Sequence, residues 1–460
     1  MSETTQYQIN FYNKIKLKIY NLIKPFITKF EKLIPFFTFE SILIYYFFLV
    51  VIFGRSFTGI LIFGFRVGEL MIGSALVLFT YFVLFKNKKI TNLLGKEINI
   101  TLKIFLLSFF IMNFFNGGIT NFLNPETYRS SSYIWSIGFL FALVFLGKLH
   151  IFDSNLFLTA MFISLPLTYI LTSVYYPNII SDFFTNYSDK MRMLKGSDLF
   201  MIYSIYCLLF FERIKNNNFI YIFTFILSGT LIPLIVFSSR GASIGTFIVL
   251  IYSVVSNRKA FLRNKLVFIV STLAFLVSLT LSSIYLDWTE IDFEELNTEM
   301  AIDSLEMTLV SKRYPETTKP YFYIENNRIN SGDGNLNWRL QIWQDVIQDL
   351  NDKNSIMLGY GFQDEIPAMQ RIDRAGLDGT NIHVHNYFIN VLARGGLLHL
   401  LIIMFFYIFI IFRIKKLENK LGVVFFILAV MFVSFFDSSM ETVRYPFLFF
   451  TVLSYKLLKK

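Results

Sequence analysis

The chain has 460 residues, 55% of them hydrophobic, 18% aromatic and only 16% charged, against roughly 25% charged in soluble domains; this excludes an ordinary soluble protein and predicts a polytopic membrane protein. The single cysteine, Cys207, lies inside an apolar run, which excludes a disulfide framework and a thiol metal site. The net charge of +10 reads as membrane topology rather than nucleic-acid binding, because lysines and arginines recur in short clusters between apolar runs.

In chain order, residues 1–36 are expected to be a cytoplasmic segment. Tyr12, Ile15, Ile19, Ile23 and Phe26 recur at helical spacing, with Lys14, Lys16 and Lys18 interleaved and Pro25 as a break. This pattern predicts an amphipathic helix in the membrane plane, not a cleavable signal. Crossing a core of about 30 Å takes about 20 residues, and apolar stretches near 37–56, 62–85, 101–118, 131–148, 155–176, 197–212, 218–238, 241–256, 265–286, 392–412, 421–438 and 442–457 come close to that length. The expected fold is therefore an all-α polytopic membrane protein of about 12 transmembrane helices. Nine of them fall in 37–286 and three in 392–460. Arg66 and Glu69 blur the start of the second span, where the preceding hairpin has room to turn anywhere between Gly54 and Arg66.

Charge sets the orientation independently. With the N-terminus inside, every basic cluster falls on the cytoplasmic side: 86–89, Lys148, 213–215, 258–265, 413–416 and the terminal Lys459-Lys460. Both termini are thus expected in the cytoplasm. The long polar stretch 287–391 becomes a large, partly helical loop on the outer, periplasmic face. It opens with acidic residues from Asp287 to Glu306, which as a solvated helix need mean nothing more.

Three features are out of place in a simple membrane bundle. Arg240, in Ser238-Ser239-Arg240-Gly241-Ala242, lies between the seventh and eighth spans on the outer side, where topology does not call for a cation. An arginine at membrane depth needs a partner. Phosphate is a natural one, because Gly241 allows close approach and the first amides of the eighth helix would face the same anion; the bland reading is an interfacial arginine whose head snorkels to water. Arg339 is the second feature. Leu336, Leu340, Trp343, Ile347 and Leu350 recur at helical spacing behind a turn and cap at 332–335. Arg339 falls on the apolar side of that helix, with Gln341, Gln344, Asp345 and Gln348 opposite. It also sits in the first turn, where the macrodipole disfavours a cation without an anion nearby; an ion pair to the acidic part of the loop is the structural alternative. The third feature is His385, two residues after His383, at the junction between the polar loop and an apolar helix. Asn386 beside it has the chemistry to cap that helix or to bond a substrate, and Gly359-Tyr360-Gly361 upstream marks a tight turn. His399, inside the tenth span, reads as a packing or helix-bridging residue.

The sequence has no Walker loop, dinucleotide fingerprint, clustered His/Cys site or G-x-S-x-G elbow. The outer loops also lack a D-x-D pair of the kind that holds a divalent metal against a diphosphate. If a diphosphate is bound, arginines must bind it.

Taken together, Ser239-Arg240-Gly241-Ala242, the Arg339-x-x-x-Trp343 helix leading to Gly359-Tyr360-Gly361, and His385-Asn386 with Gly396 beyond resemble the three signatures of the O-antigen ligase and polymerase superfamily, in its order and spacing. One departure is His399, which stands where that family usually has a second glycine. The resemblance implies a metal-independent, cofactor-free, inverting glycosyl transfer at the periplasmic face of the bacterial inner membrane. The donor would be a glycan on undecaprenyl diphosphate. The acceptor would be lipid A core in a ligase, or a second lipid-linked glycan in a polymerase; no motif here reads the acceptor. Arg240 and Arg339 would clamp the diphosphate, and His385 would take the acceptor's proton. Ser239, Gly241, Asn386, Gly359, Gly361 and His383 would line the substrates, with Trp338 and Trp343 available for stacking on sugars. A lipid or glycan transporter is the rival from another class, but it would place ionisable groups near the bilayer midplane and show internal repeats. The suspects here cluster at one face. A structural or glycan-binding membrane protein is the remaining alternative.

Overall fold

A computed structural model describes residues 39–147, 152, 155–173, 176–190, 194–210, 218–256, 258, 264–288, 321–363, 365–371, 383–414 and 420–458. The amphipathic helix expected before residue 37 and most of the acidic stretch 287–306 lie outside these residues. The chain divides into two compact units, 1–48 and 49–460, and helix α1 (Phe39–Thr58) runs across the division, with a break in its dihedrals at Gly54.

The described chain is predominantly helical. After α1 come a hairpin, β1 (Leu61–Ile62) and β2 (Phe65–Arg66), and then α2 (Val67–Phe85), α3 (Asn87–Leu94), α4 (Lys96–Gly117), α5 (Pro125–Ser130), α6 (Ser132–Trp135) and α7 (Ala142–Leu146). Helices α8 (Asn155–Ser173), α9 (Asn178–Tyr187), α10 (Gly196–Phe210), α11 (Asn218–Ser238), α12 (Arg240–Ser256) and α13 (Lys265–Trp288) follow. A second hairpin, β3 (Tyr323–Glu325) and β4 (Arg328–Asn330), precedes α14 (Gly334–Asp352), and α15 (Tyr387–Ile414), α16 (Lys420–Phe436) and α17 (Arg444–Leu458) complete the chain. Each of the twelve apolar stretches read from the sequence coincides with a helical element. Among the described residues, five helices are long and apolar enough to cross a membrane: 67–85, 96–114, 218–238, 265–286 and 387–414. Six more apolar helices are shorter, at 10–17 residues.

Of the boundaries that differ from the sequence reading, two have a visible local cause. The second expected span starts only at Val67, because Leu61–Arg66 pair as a hairpin and Arg66 caps α2, its amide donating to Glu69 Oε2 at 3.0 Å. The tenth begins at Tyr387 rather than 392, because Asn386 caps it: the Asn386 Oδ1 accepts from Phe388 N at 2.9 Å and Ile389 N at 3.1 Å.

Small residues set how closely the helices pack. A Cβ on Gly229 of α11 would lie 2.0 Å from Ser278 Oγ of α13, and one on Gly138 would lie 1.9 Å from the Ala75 carbonyl of α2. His399 bridges helices, as its burial in an apolar segment requires. Its Nε2 lies 2.9 Å from Ser108 Oγ of α4 and its Nδ1 2.7 Å from Tyr133 OH of α6. Since the Ser108 hydroxyl hydrogen goes to Phe105 O, the ring must donate from Nε2 and accept at Nδ1, and a neutral tautomer satisfies every partner.

Helix α14 forms a small subdomain with the hairpin before it. Asp333 is its N-cap, with Oδ1 accepting from Leu336 N at 2.9 Å, as the turn at 332–335 predicts. Ile342, Trp343, Val346 and Leu350 pack against Ile366, Ala368, Met369, Val384 and Ala393. The hairpin turns through Asn326 and Asn327, both at positive φ, in register Tyr323↔Asn330. It lies on the face assigned to polar residues, which corrects the sequence reading. Asp345 is fully buried and takes Arg328 Nη2 at 2.5 Å and Arg371 Nη1 at 3.2 Å, whereas Ile347 is 43% exposed.

Candidate active site

Four chain segments meet at the C-terminal end of α16. The first is the start of α12. Ser239 caps it, its Oγ accepting from Ala242 N at 3.3 Å and its carbonyl from Ser243 N at 3.0 Å. Gly241 lets this end touch α16, since a Cβ there would lie 3.0 Å from Phe436 Cβ. Arg240 projects half-exposed and pairs with Asp333, the capping residue of α14. Its partner among the described residues is thus a carboxylate at another helix start.

The second segment is the first turns of α14. Arg339 is largely buried, and its Nη1 donates to the carbonyl of Phe436, the last residue of α16. Its Nε has no hydrogen-bond partner among the described residues. Burial lowers its proton affinity, and the nearby carboxylates Asp437 and Asp333 oppose that. The buried side expected for Arg339 is therefore found, and among the described residues the nearby anions are Asp437 after α16 and Asp333 at the cap of α14.

His385 carries the third. It has a left-handed backbone, φ 52°, which a non-glycine residue holds only where its surroundings impose it. Two anchors do so: Asn386 caps the helix after it, and the Trp343 indole donates to Val384 O at 2.8 Å before it. The imidazole lies against the Trp338 indole, with centroids 5.3 Å apart. Burial first, and then the Arg339 cation, hold its proton affinity well below the ordinary histidine value, while Asp437 acts in the opposite sense. At neutral pH the ring is an uncharged base. Trp343 is spent on packing and on Val384, so of the two tryptophans only Trp338 borders the histidine.

The fourth segment, Lys195–Asp198 at the start of α10, was not singled out from the sequence. A Cβ on Gly196 would lie 2.5 Å from Ser239 Cβ, so α10 and α12 begin in contact. Lys195 faces both His385 and Asp437 electrostatically. Asp198 Oδ2 accepts from Lys195 N at 3.0 Å, and Asp198 Oδ1 takes Arg444 Nε at 2.8 Å in a pair with both side chains under 10% exposed. Asp437 itself was also missed. Burial alone would raise its carboxyl, but Lys195 and Arg339 outweigh burial and hold it below the usual carboxylate range. The signal was weak, since a lone aspartate at the end of an apolar run reads as a helix terminus.

Of the remaining expected site residues, Asn386 uses its Oδ1 on the cap and leaves Nδ2 buried without a partner among the described residues. His383 is exposed and faces Glu441, Nδ1 to Oε2 at 3.4 Å. Gly359 and Gly361 are held elsewhere, at a break in α15 where Gly396 takes φ 65°, ψ −169°. Tyr360 N donates to Ala393 O at 2.7 Å, Gly361 N to Arg394 O at 3.0 Å and Leu397 N to Ile356 O at 2.8 Å. The glycine turn thereby satisfies main-chain groups that the broken helix leaves open. Among the described residues no group of three or more His, Cys, Asp or Glu side chains is arranged to hold a metal.

The arrangement sets cations (Arg240, Arg339 and Lys195) around a neutral imidazole and two carboxylates, Asp437 and Asp333, which is chemistry for an anionic leaving group beside a base. In comparisons with known proteins, no curated protein matches the chain. A family model described as O-antigen ligase matches residues 222–404, a stretch that contains Arg240, Arg339 and His385 through Gly396. Over that stretch, less than half of its length, the chain is similar to the O-antigen ligase family.

Proposed function

We propose that the chain transfers a glycan from undecaprenyl diphosphate to an acceptor hydroxyl, with inversion and without a metal, as an O-antigen ligase whose acceptor is lipid A core. The single observation that carries this reading is the convergence of the Arg240, Arg339 and His385 segments on the end of α16, within the stretch matched by the family. In this reading the protein sits in the bacterial inner membrane with about twelve crossings, both termini cytoplasmic and residues 287–391 periplasmic. The clustering of basic residues on the opposite side supports that orientation.

Arg339 and Arg240 bind the diphosphate, Arg240 by exchanging Asp333 for a phosphate oxygen. His385 accepts the proton of the acceptor hydroxyl as that oxygen attacks the anomeric carbon. The bond to the diphosphate oxygen breaks, and the diphosphate leaves with the electron pair, its charge met by the arginines. Burial is the first cause of the low proton affinity of His385, and Arg339, the second, is a cation that a bound diphosphate would neutralise. Donor binding therefore raises the basicity of the imidazole when a proton has to be taken.

Deleting the gene and separating lipopolysaccharide on gels tests the reading. Free lipid-linked polymer with bare core is the expected result. Core bearing a single repeat would identify a polymerase instead, and an unchanged pattern would refute both.

A further inference from the structure

Glu441 is not used by the chemistry above. It lies in the short turn Ser439–Glu441 between α16 and α17, and its carbonyl is tied to Ser132 Oγ of α6 at 3.4 Å. Its side chain is 8% exposed, with Oε2 facing His383 Nδ1 at 3.4 Å. Oε1 is buried and has no hydrogen-bond partner among the described residues. A buried carboxylate oxygen without a donor is costly, and a ligand that supplies one recovers that cost. The chemistry selects the ligand: a carboxyl oxygen accepts from hydroxyls and, when ionised, repels a diphosphate; burial raises the proton affinity of Glu441, and His383 opposes that.

Position points the same way. His383 is two residues from His385, so their main-chain positions are at most roughly 7 Å apart, a distance one sugar ring can span. His383 is 55% exposed while Glu441 behind it is 8% exposed, so the histidine stands between the buried carboxyl and solvent, whereas Arg339 is held through a different partner, the carbonyl of Phe436.

We propose that Glu441, oriented by His383, is the hydroxyl-binding subsite for the acceptor glycan, Oε1 accepting from a hydroxyl that neighbours the attacking one. This rests on the glycosyl-transfer reading above. The subsite has the chemistry to fix which hydroxyl reaches His385, and so makes Glu441 a specificity-determining residue.

The test uses purified full-length protein with saturating lipid-linked glycan. The acceptor is titrated in parallel as rough-form lipid A core and as lipid-linked repeat unit, and the one that the wild-type protein uses is carried forward. Binding of undecaprenyl diphosphate is measured separately. For Glu441→Gln the acceptor KM should rise roughly 10-fold, and for Glu441→Ala roughly 100-fold, with kcat and undecaprenyl diphosphate binding within twofold of wild type. If the alanine variant does not fold, the isosteric glutamine variant carries the test. An unchanged acceptor KM in Glu441→Gln overturns the proposal, as does a fall in kcat alone or a loss of undecaprenyl diphosphate binding. A wild-type protein that neither binds undecaprenyl diphosphate nor uses either acceptor defeats the underlying reading, and that result needs no variant.

Discussion

Gly395 and His399 occupy one another's space, and their coupling can be measured. A Cβ at Gly395 would lie 2.3 Å from both Cγ and Nδ1 of His399 and 2.4 Å from its Cβ. The ring has no free retreat, because Ser108 Oγ holds Nε2 and Tyr133 OH holds Nδ1. Gly395→Ala must therefore either overpack the contact, at about 1–3 kcal/mol, or swing the ring away. The second course loses two hydrogen bonds worth about 1 kcal/mol each and leaves a buried tyrosine hydroxyl without its acceptor, at about 2–4 kcal/mol. His399→Gly alone loses the same bonds and opens a cavity, for about 3 kcal/mol. In the double variant the alanine methyl enters the vacated space, so its cost should fall short of the sum of the single changes by about 2 kcal/mol. Stability of the purified protein in mixed detergent, titrated with sodium dodecyl sulfate, reads all four corners of the cycle. Additivity within about 0.5 kcal/mol would refute the mutual exclusion argued from these contacts.

Arg339→Ala should lower glycan transfer by roughly 10²–10³-fold while the protein still reaches the membrane, checked by lipopolysaccharide gels and immunoblotting. Arg339→Lys should not restore transfer, because a single ammonium cannot serve both Phe436 O and a phosphate. His385→Gln should leave undecaprenyl diphosphate binding within severalfold of wild type and reduce turnover by roughly 10²–10⁴-fold, read by single-turnover kinetics. Because His385 is held well below its unfolded value of about 6.5, the unfolded chain binds its proton first as pH falls. Stability is then full above about pH 6.5 and declines below it by up to about 1.4 kcal/mol per pH unit. His385→Gln should flatten the melting temperature between pH 6.5 and 5, and an unchanged slope would contradict the burial argued for this ring. Asp345→Asn should destabilise the α14 subdomain by about 3 kcal/mol, since it leaves Arg328 and Arg371 without their buried anion; thermal unfolding checks it.

Helix existence was legible because apolar length is a strong signal, and so were the residues out of place, because a cation or imidazole in apolar surroundings demands a reason. Asp333 was readable as a cap, since the turn and the following apolar spacing name it together. Asp345 was misread for a physical reason. Helical periodicity shows one apolar face but cannot see a hairpin covering the other, and a buried aspartate with two arginines looks in sequence like a solvated one. Lys195 and Asp437 were invisible as site residues, because each is an ordinary charge at the end of an apolar run and gains meaning only when two helix ends meet. Gly359 and Gly361 were legible as a turn. What that turn holds, a break thirty-odd residues later in the chain, is a pairing that no local pattern carries.

That pairing is made of main chain alone. Tyr360, Gly361, Leu397 and Leu398 donate to carbonyls of Ala393, Arg394, Ile356 and Met357, so two distant stretches share one set of amides. Apart from proline at a donor, side-chain replacement reaches these bonds only at the glycines, where a Cβ on Gly396 would lie 2.3 Å from Met357 C and O. In hydrogen exchange these amides should open together, with one common free energy, although half belong to a loop and half to a helix. The stretch between them, which holds Val384 and His385, is then closed at its base like the loop of a disulfide without a disulfide, and reducing agents have no hold on it.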